Sequence, residues 1–390
     1  MRLLLAAFGD PGHAFPAIAL GRELAARGHE VWLETWSRWR EHVEREGMRF
    51  AAAPEYQAFP TRERPLKPYE AAVKAARASS VLVRDVEPDL VVADILTVAA
   101  GLAAELAGRP WATLVPHLLP TPEPGFPLYS TGARLPRTAA GRAWWRALDP
   151  LALIGARRGR GELNGARARL GLSSLAHVHG GISRRLALVA TFPQLEYPRA
   201  VWPAAARVTG PLLWERPAAA VEPPPGEGPL VLVAPSTSQD PGGALLAATL
   251  EGLADEPVRV LGVAPGHPVR APRNARVVEW LSYADAMRQA DAVVCHAGHG
   301  TLARALASGA PVIACPVAGD MAENGARVAW AGAGVSLPRR LIGPRSVRLA
   351  VRKVLAGPSF ALRAAAFSAW ARTHDGAAAA ADAVEELARG

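Results

Sequence analysis

Cysteine is nearly missing from this chain of 390 residues; Cys295 and Cys315 are the two it has. Two thiols cannot build a disulfide scaffold, and they make a poor start for a cysteine metal site. Each ends a short apolar run, where a free cysteine behaves as a small core residue. This usage fits a reducing cytoplasm, the expected location. Lysine is almost as scarce. Only Lys67, Lys74 and Lys353 occur, so the net charge of +9 is carried by arginine. The densest arginine groups, Arg157-Arg158-Gly-Arg160 and Arg184-Arg185, lack interleaved aromatics. A nucleic-acid groove needs both, so nucleic acid is not an expected partner. A solvated arginine-biased surface accounts for the charge; an anionic membrane or acidic partner is the other reading. Also absent is any apolar run of the ~18–20 residues that a membrane span requires. Residues 3–8 are apolar, but Gly9-Asp10-Pro11-Gly12 interrupts them too early for a secretion signal. They read better as a first strand.

What is present is ample core material. Half of the residues are hydrophobic, enough for two domains of about 200 residues each. The chain opens strand–turn–helix–strand: residues 2–8, a turn over 9–15, a helix over 16–27 capped by Gly28, and a strand over 30–35. Further buried strands are expected over 89–93 and 111–115, ending at Asp94 and at Pro116-His117. Residues 206–228 shift in composition and include a Pro/Gly-rich stretch, which reads as a linker. The strand pattern then restarts over 229–234, 258–263, 277–278, 292–295 and 311–314. The alanine-rich residues 346–389 read as helices. The expected class is therefore α/β, with two doubly wound parallel-sheet domains, 1–205 and 229–390, facing a central cleft. The last helices are expected to pack back on the first domain.

The densest signal is Asp291-Ala-Val-Val-Cys-His-Ala-Gly-His-Gly-Thr301. A buried strand ends at His296, glycines bracket His299, and a helix-like run opens at Thr301. Such a junction presents free N–H groups and the positive end of a helix dipole, which suits a diphosphate. The next strand leads to Asp320, so an anion site and a polar side chain share one edge. That points to a nucleotide sugar. In the first half, His13 sits in the opening turn, where an imidazole facing the crevice suits a general base or simply packs in the turn. Asp94 ends a strand at the same edge; it would orient His13 or cap the following helix. His117 would line the acceptor side. His296, beside the glycines, would contact phosphate. His177 and His179 lie in a loop without partner carboxylates at ligand spacing, so no metal site is expected. The first turn is not G-x-G-x-x-G, yet Glu34 ends the second strand where the ribose acid of a dinucleotide site would lie, so a dehydrogenase stays open as a distant alternative.

Taken in order, the motifs resemble those of the family-one glycosyltransferases of GT-B fold, above all the bacterial branch that decorates macrolides, polyketides and enediynes. The resemblance rests on Gly12-His13-x-x-Pro16-x-x-x-Leu20, Arg27-Gly28-His29-Glu30-Val31, Asp89-Leu-Val-Val-Ala-Asp94, Val278-Glu-Trp280, the glycine segment above, Gly309-x-Pro311, Pro316 and Asp320-x-x-x-Asn324. It implies an acceptor-binding first domain and a nucleotide-sugar-binding second one. His13 would deprotonate the acceptor hydroxyl with Asp94 behind it, in a metal-independent, cofactor-free inverting displacement. Ser236, Thr237, His296, Gly298, Gly300 and Thr301 would hold the diphosphate, Trp280 and Leu281 the base, and Asp320 the sugar hydroxyls.

The departures from the family pattern are informative. Met321 stands where members carry Gln after the acid. An apolar side chain suits a deoxygenated sugar carbon better than a hydroxyl, so a deoxysugar on a thymidine diphosphate is expected, with UDP-glucose as competitor. Ser282, Tyr283 and Arg304 also depart, in the direction of the bacterial branch. Trp36, Trp39, Tyr56, Phe59 and residues 116–129 would form an apolar acceptor wall or simply core, and the stretch around Trp144-Trp145-Arg146 a mobile lid. The expected activity is transfer of a sugar to a hydroxyl of a small apolar natural product by a monomer or homodimer. A transferase of phenols, a membrane-surface lipid transferase and an inactive nucleotide-sugar-binding helper are the alternatives.

Overall fold

The computed structural model describes residues 1–54, 68–176, 181–236, 240, 242–264 and 269–390. The first half runs β1 (Arg2–Ala6), α1 (Pro11–Ala26), β2 (Glu30–Thr35), α2 (Arg40–Arg45), β3 (Arg49–Ala52), α3 (Pro68–Val86), β4 (Leu90–Asp94), α4 (Val98–Leu106), β5 (Trp111–Val115), α5 (Ala139–Arg169), β6 (Ala187–Val189) and β7 (Ala206–Val208). The second runs β8 (Leu230–Ala234), α6 (Ala244–Leu253), β9 (Arg259–Val263), β10 (Ala275–Val278), α7 (Tyr283–Gln289), β11 (Ala292–Cys295), α8 (His299–Ala307), β12 (Val312–Ala314), α9 (Met321–Ala331), β13 (Gly334–Ser336), α10 (Pro344–Ala356), α11 (Pro358–Thr373) and α12 (Gly376–Arg389).

Both sheets are parallel and doubly wound, ordered β3-β2-β1-β4-β5-β6-β7 and β10-β9-β8-β11-β12-β13. The sequence reason is plain in β8 and β11, whose residues are apolar throughout and buried on both faces. The winding direction reverses between β1 and β4 and again between β8 and β11. Crevices open beyond the strands at those two points.

Four sequence expectations shift. Helix α1 begins at Pro11, not Pro16, which lies inside it. Proline fits the first helical position because its missing N–H has no helical partner there. His13 is therefore in the first helical turn. Helix α8 likewise opens at His299, with Gly298 as its N-cap, two residues before the expected Thr301. Residues 206–208, expected in the linker, pair with β6 as the last strand of the first sheet. The rest of that segment is partly packed: Trp214 is buried and donates its indole N–H to Glu46 (2.7 Å), while its carbonyl accepts from Arg304 (2.8 Å). Finally, Trp144-Trp145-Arg146 lies within α5, whose first turn is capped by the Thr138 hydroxyl.

The halves share one interface. Leu118, Phe192 and Leu195 pack in the same core cluster as Leu302 and Val328. At the back, α12 lies on α1. Ala380, Ala381 and Val384 join Ala17, Leu20 and Leu24 in the first core, and Arg27 pairs with Asp382 at 2.6 Å. Among the described residues no helix is long and apolar enough to cross a membrane.

Candidate active site

The first half of the site is a histidine–aspartate pair. β4 ends at Asp94, and the first turn of α1 carries His13 over it. The imidazole Nδ1 lies 2.7 Å from Asp94 Oδ1. A carboxylate accepts, so Nδ1 carries the proton and Nε2 keeps a lone pair. The Asp94 side chain is fully buried, whereas that of His13 is 17% exposed. The acid thus has no competing solvent and is held further by the backbone N–H groups of Phe8 and Leu96 (3.4 and 3.3 Å). Burial pulls the His13 pKa down, but the charge and hydrogen bond of Asp94, with Asp320 and Asp10 beyond, leave it above the ordinary 6.5.

Aromatic rings frame this pair. Phe8 lies 6.1 Å from His13 and Trp36 packs on Phe8 at 4.9 Å. Gly9 makes that possible, because a Cβ there would fall 2.0 Å from the Trp36 ring. His117 follows β5 and stands edge-on to His13, 6.4 Å between ring centres. Its Nδ1 donates to the Leu118 carbonyl (2.8 Å), and burial keeps its pKa below the ordinary value. Of the two readings for Trp39, wall or core, the structure gives core: it is buried against Phe15 and donates its indole N–H to Gly9 O (2.8 Å). Phe59, Tyr56, Thr237, His177 and His179 lie outside the described residues.

The second half sits at the β8/β11 crevice. His296 follows β11, and its Nδ1 donates to Ala234 O at the end of β8 (3.2 Å). Its ring lies over Gly298, where a Cβ would come 2.3 Å from Nε2. Burial lowers its pKa. Gly298 caps α8 without any side-chain acceptor, so the first-turn N–H groups of His299, Gly300 and Thr301 need an outside partner. Ser236, just past β8, is buried. His299 points elsewhere. It is buried against the other half, Nε2 to Ala190 O at 3.3 Å, and desolvation lowers its pKa to about 4. It is a neutral interface residue and no cation over a phosphate.

Asp320 is the N-cap residue of α9 and Met321 its first helical residue, partly buried against the second core. Asp320 lies near enough for its charge to help raise the pKa of His13 and to oppose the lowering that burial imposes on His117. So the cleft brings the carboxylate of one half to the imidazoles of the other. Asn324 went unnoticed as a site residue, although it closes the Asp320 motif. Its amide donates to Asp320 Oδ2 (3.3 Å) and to Ala297 O (3.0 Å), tying the acid to the β11–α8 turn. Trp280 is covered on one face by Arg216, 4.2 Å away, whereas the Leu281 side chain is buried in the core and leaves only its backbone for a ligand.

Residues 3–113 match the family model for the glycosyltransferase family 28 N-terminal domain, and residues 264–386 that for the erythromycin biosynthesis protein CIII-like C-terminal domain. The 4'-demethylrebeccamycin synthase of Lentzea aerocolonigenes is 29% identical over 99% of both chains. The chain belongs to the family-one glycosyltransferases, in their natural-product branch. The transferase is also 28% identical to the O-mycaminosyltylonolide 6-deoxyallosyltransferase of Streptomyces fradiae, over 93% of this chain and 92% of that one. Its fold is GT-B: the glycosyltransferase VinC, solved in complex with DTDP, superposes over the whole of both chains with a TM-score of 0.72 at 19% identity.

Glu34 removes the dehydrogenase alternative. The carboxylate is 4% exposed and held by Ser79 Oγ at 2.8 and 3.1 Å. It faces α3 inside the transferase and cannot receive ribose hydroxyls.

Proposed function

We propose that the transferase moves a deoxysugar from a thymidine diphosphate donor to a hydroxyl of a small apolar acceptor by one inverting displacement. The observation that carries this reading is the His13–Asp94 pair, 2.7 Å apart at the first crevice and within the electrostatic reach of Asp320. With Nδ1–H committed to Asp94, Nε2 takes the acceptor proton as the oxygen attacks the anomeric carbon. The new carbon–oxygen bond forms as the bond to the diphosphate breaks, and charge grows on the leaving phosphate. The free N–H groups of α8 meet that charge. His296 adds a hydrogen bond when Nε2 takes up a proton, since Nδ1 is spent on Ala234. Asp320 receives sugar hydroxyls, and Met321 offers an apolar contact to a carbon without one. The Trp280 segment, with the Leu281 backbone, holds the base. The acceptor wall includes Phe8, Trp36 and His117.

A deoxysugar is supported by Met321 and by the deoxysugar named for the relative from Streptomyces fradiae; a thymidine diphosphate is supported by the ligand of VinC. The test is turnover of thymidine- and uridine-diphosphate donors of deoxysugars and glucose, with the product anomer read by NMR. Inverted product and preference for the deoxysugar are expected; a strong UDP-glucose preference sinks the donor assignment. His13→Ala should lower kcat by roughly 10²–10⁴.

A further inference from the structure

The interface between the halves buries three ionisable side chains, where such groups are rarely buried. Arg327 on α9 and Glu196 beyond β6 are 2% and 5% exposed, and Glu323, one turn before Arg327, is 2% exposed. Arg327 Nε donates to Glu323 Oε1 (2.7 Å), and Nη1 donates across the interface to Leu195 O (3.1 Å) and Glu196 Oε2 (3.4 Å). The guanidinium lies 3.5 Å over the ring of Tyr197. The other oxygen of Glu196 accepts the N–H of Leu119 (2.7 Å), two residues after His117.

The same helix is gripped at its start. Asn324 binds Asp320 and the turn before α8, and Gly132 of the acceptor-side segment lies on Ala322, where a Cβ would be 3.2 Å from the alanine Cβ. Helix α9 is therefore fixed to the sugar end by Asn324 and to the His117 segment by Arg327. Burying three charges is expensive, and a well-packed apolar cluster of that volume holds an interface as well. What the ions add is direction: a guanidinium fork admits one register between its two carboxylates.

We propose that Arg327 is a positioning residue for glycosyl transfer, setting the distance between the donor sugar at the start of α9 and the acceptor and base on the other domain. This rests on the reading of His13 and Asp320 given above. A misplacement of about 1 Å costs as much as 10²-fold in rate.

The test compares Arg327→Met, Arg327→Lys and the charge-free variant Glu196→Gln/Glu323→Gln/Arg327→Met with the parent enzyme and with His13→Ala. Transfer to acceptor, hydrolysis of the donor in its presence, and thymidine diphosphate affinity by calorimetry are read for each. Arg327→Met should lose about 10- to 100-fold in kcat for transfer, with diphosphate affinity within about threefold of the parent, and hydrolysis should gain on transfer. Lysine should restore part of the loss. Where Arg327→Met does not fold, the charge-free variant removes the unpaired ions and should show the same loss. Unchanged transfer in a folded variant, or a loss that follows diphosphate affinity with the hydrolysis ratio constant, overturns the proposal while His13→Ala still fails. Full activity of His13→Ala overturns the reading beneath it, and the proposal with it.

Discussion

At the scale of the residue, environment decides what each ionisable group can do. In the proposed reaction His13 serves as the base because Asp94 takes its other nitrogen, and the acid outweighs the burial that alone would lower the pKa. The acid limb of kcat/KM should therefore lie above pH 6.5. Asp94→Asn removes the largest raising influence and leaves the burial, with only Asp320 and Asp10 against it, so the limb should move to lower pH while the plateau falls by about 10²–10⁴. A pH–rate profile of the variant reads both. A limb that stays put detaches Asp94 from His13. Glu34 shows the opposite balance. Burial, only partly relieved by Ser79, raises its pKa from 4.5 to about 7. Such a group imposes nothing below pH 4.5, loses stability as pH rises from 4.5 to about 7, and costs about 3 kcal/mol above that. Glu34→Gln should melt higher than the parent at pH 8, and the gap should close towards pH 4.5. Equal melting curves at both ends would mean that the carboxylate is already ionised without cost.

At the scale of the element, the β11–α8 junction is the most demanding. Gly298 caps the helix and leaves room for the His296 ring, so Gly298→Ala pushes a methyl group against Nε2. Diphosphate affinity should fall at least tenfold, about 1.4 kcal/mol, with little change in melting temperature; calorimetry and thermal shift separate the two. This element is legible in the sequence, because a buried parallel strand is a bare apolar run and the glycines after it have few other uses. The bounds of β2, β5 and β11 were legible for the same reason. Others were not. The short strands β6, β7 and β13 have three residues each, too few to show a period. The early start of α1 hid behind Pro16, a residue that reads as a helix opener. Arg327 looked like one more arginine in an arginine-rich chain. Its meaning depends on Glu196, 131 residues away, and local sequence carries no signal of that pairing.

At the scale of the whole molecule, two stretches of chain tie the halves together in addition to the interface at α9. Residues 209–216 bridge them through Trp214 and through Glu215, which accepts from Ser282 at 2.9 Å. Helix α12 returns to α1, where His29 meets Glu385 at 2.9 Å. A chain ended at residue 374 should therefore melt lower, by roughly 5 °C or more, since Ala17, Leu20 and Leu24 lose an apolar cover worth several kcal/mol. Scanning calorimetry should place the loss in the first domain, and an unchanged transition there would show that α12 is only an attachment. The return of α12 also sets an order of events during synthesis. Domains generally fold as the ribosome releases them, but the first domain waits for a helix encoded after the whole second sheet. Until α12 emerges, one face of α1 is bare apolar surface, and the whole second domain is made while it stays so. The interval in which a chaperone has most to cover is therefore the time taken to translate the second half.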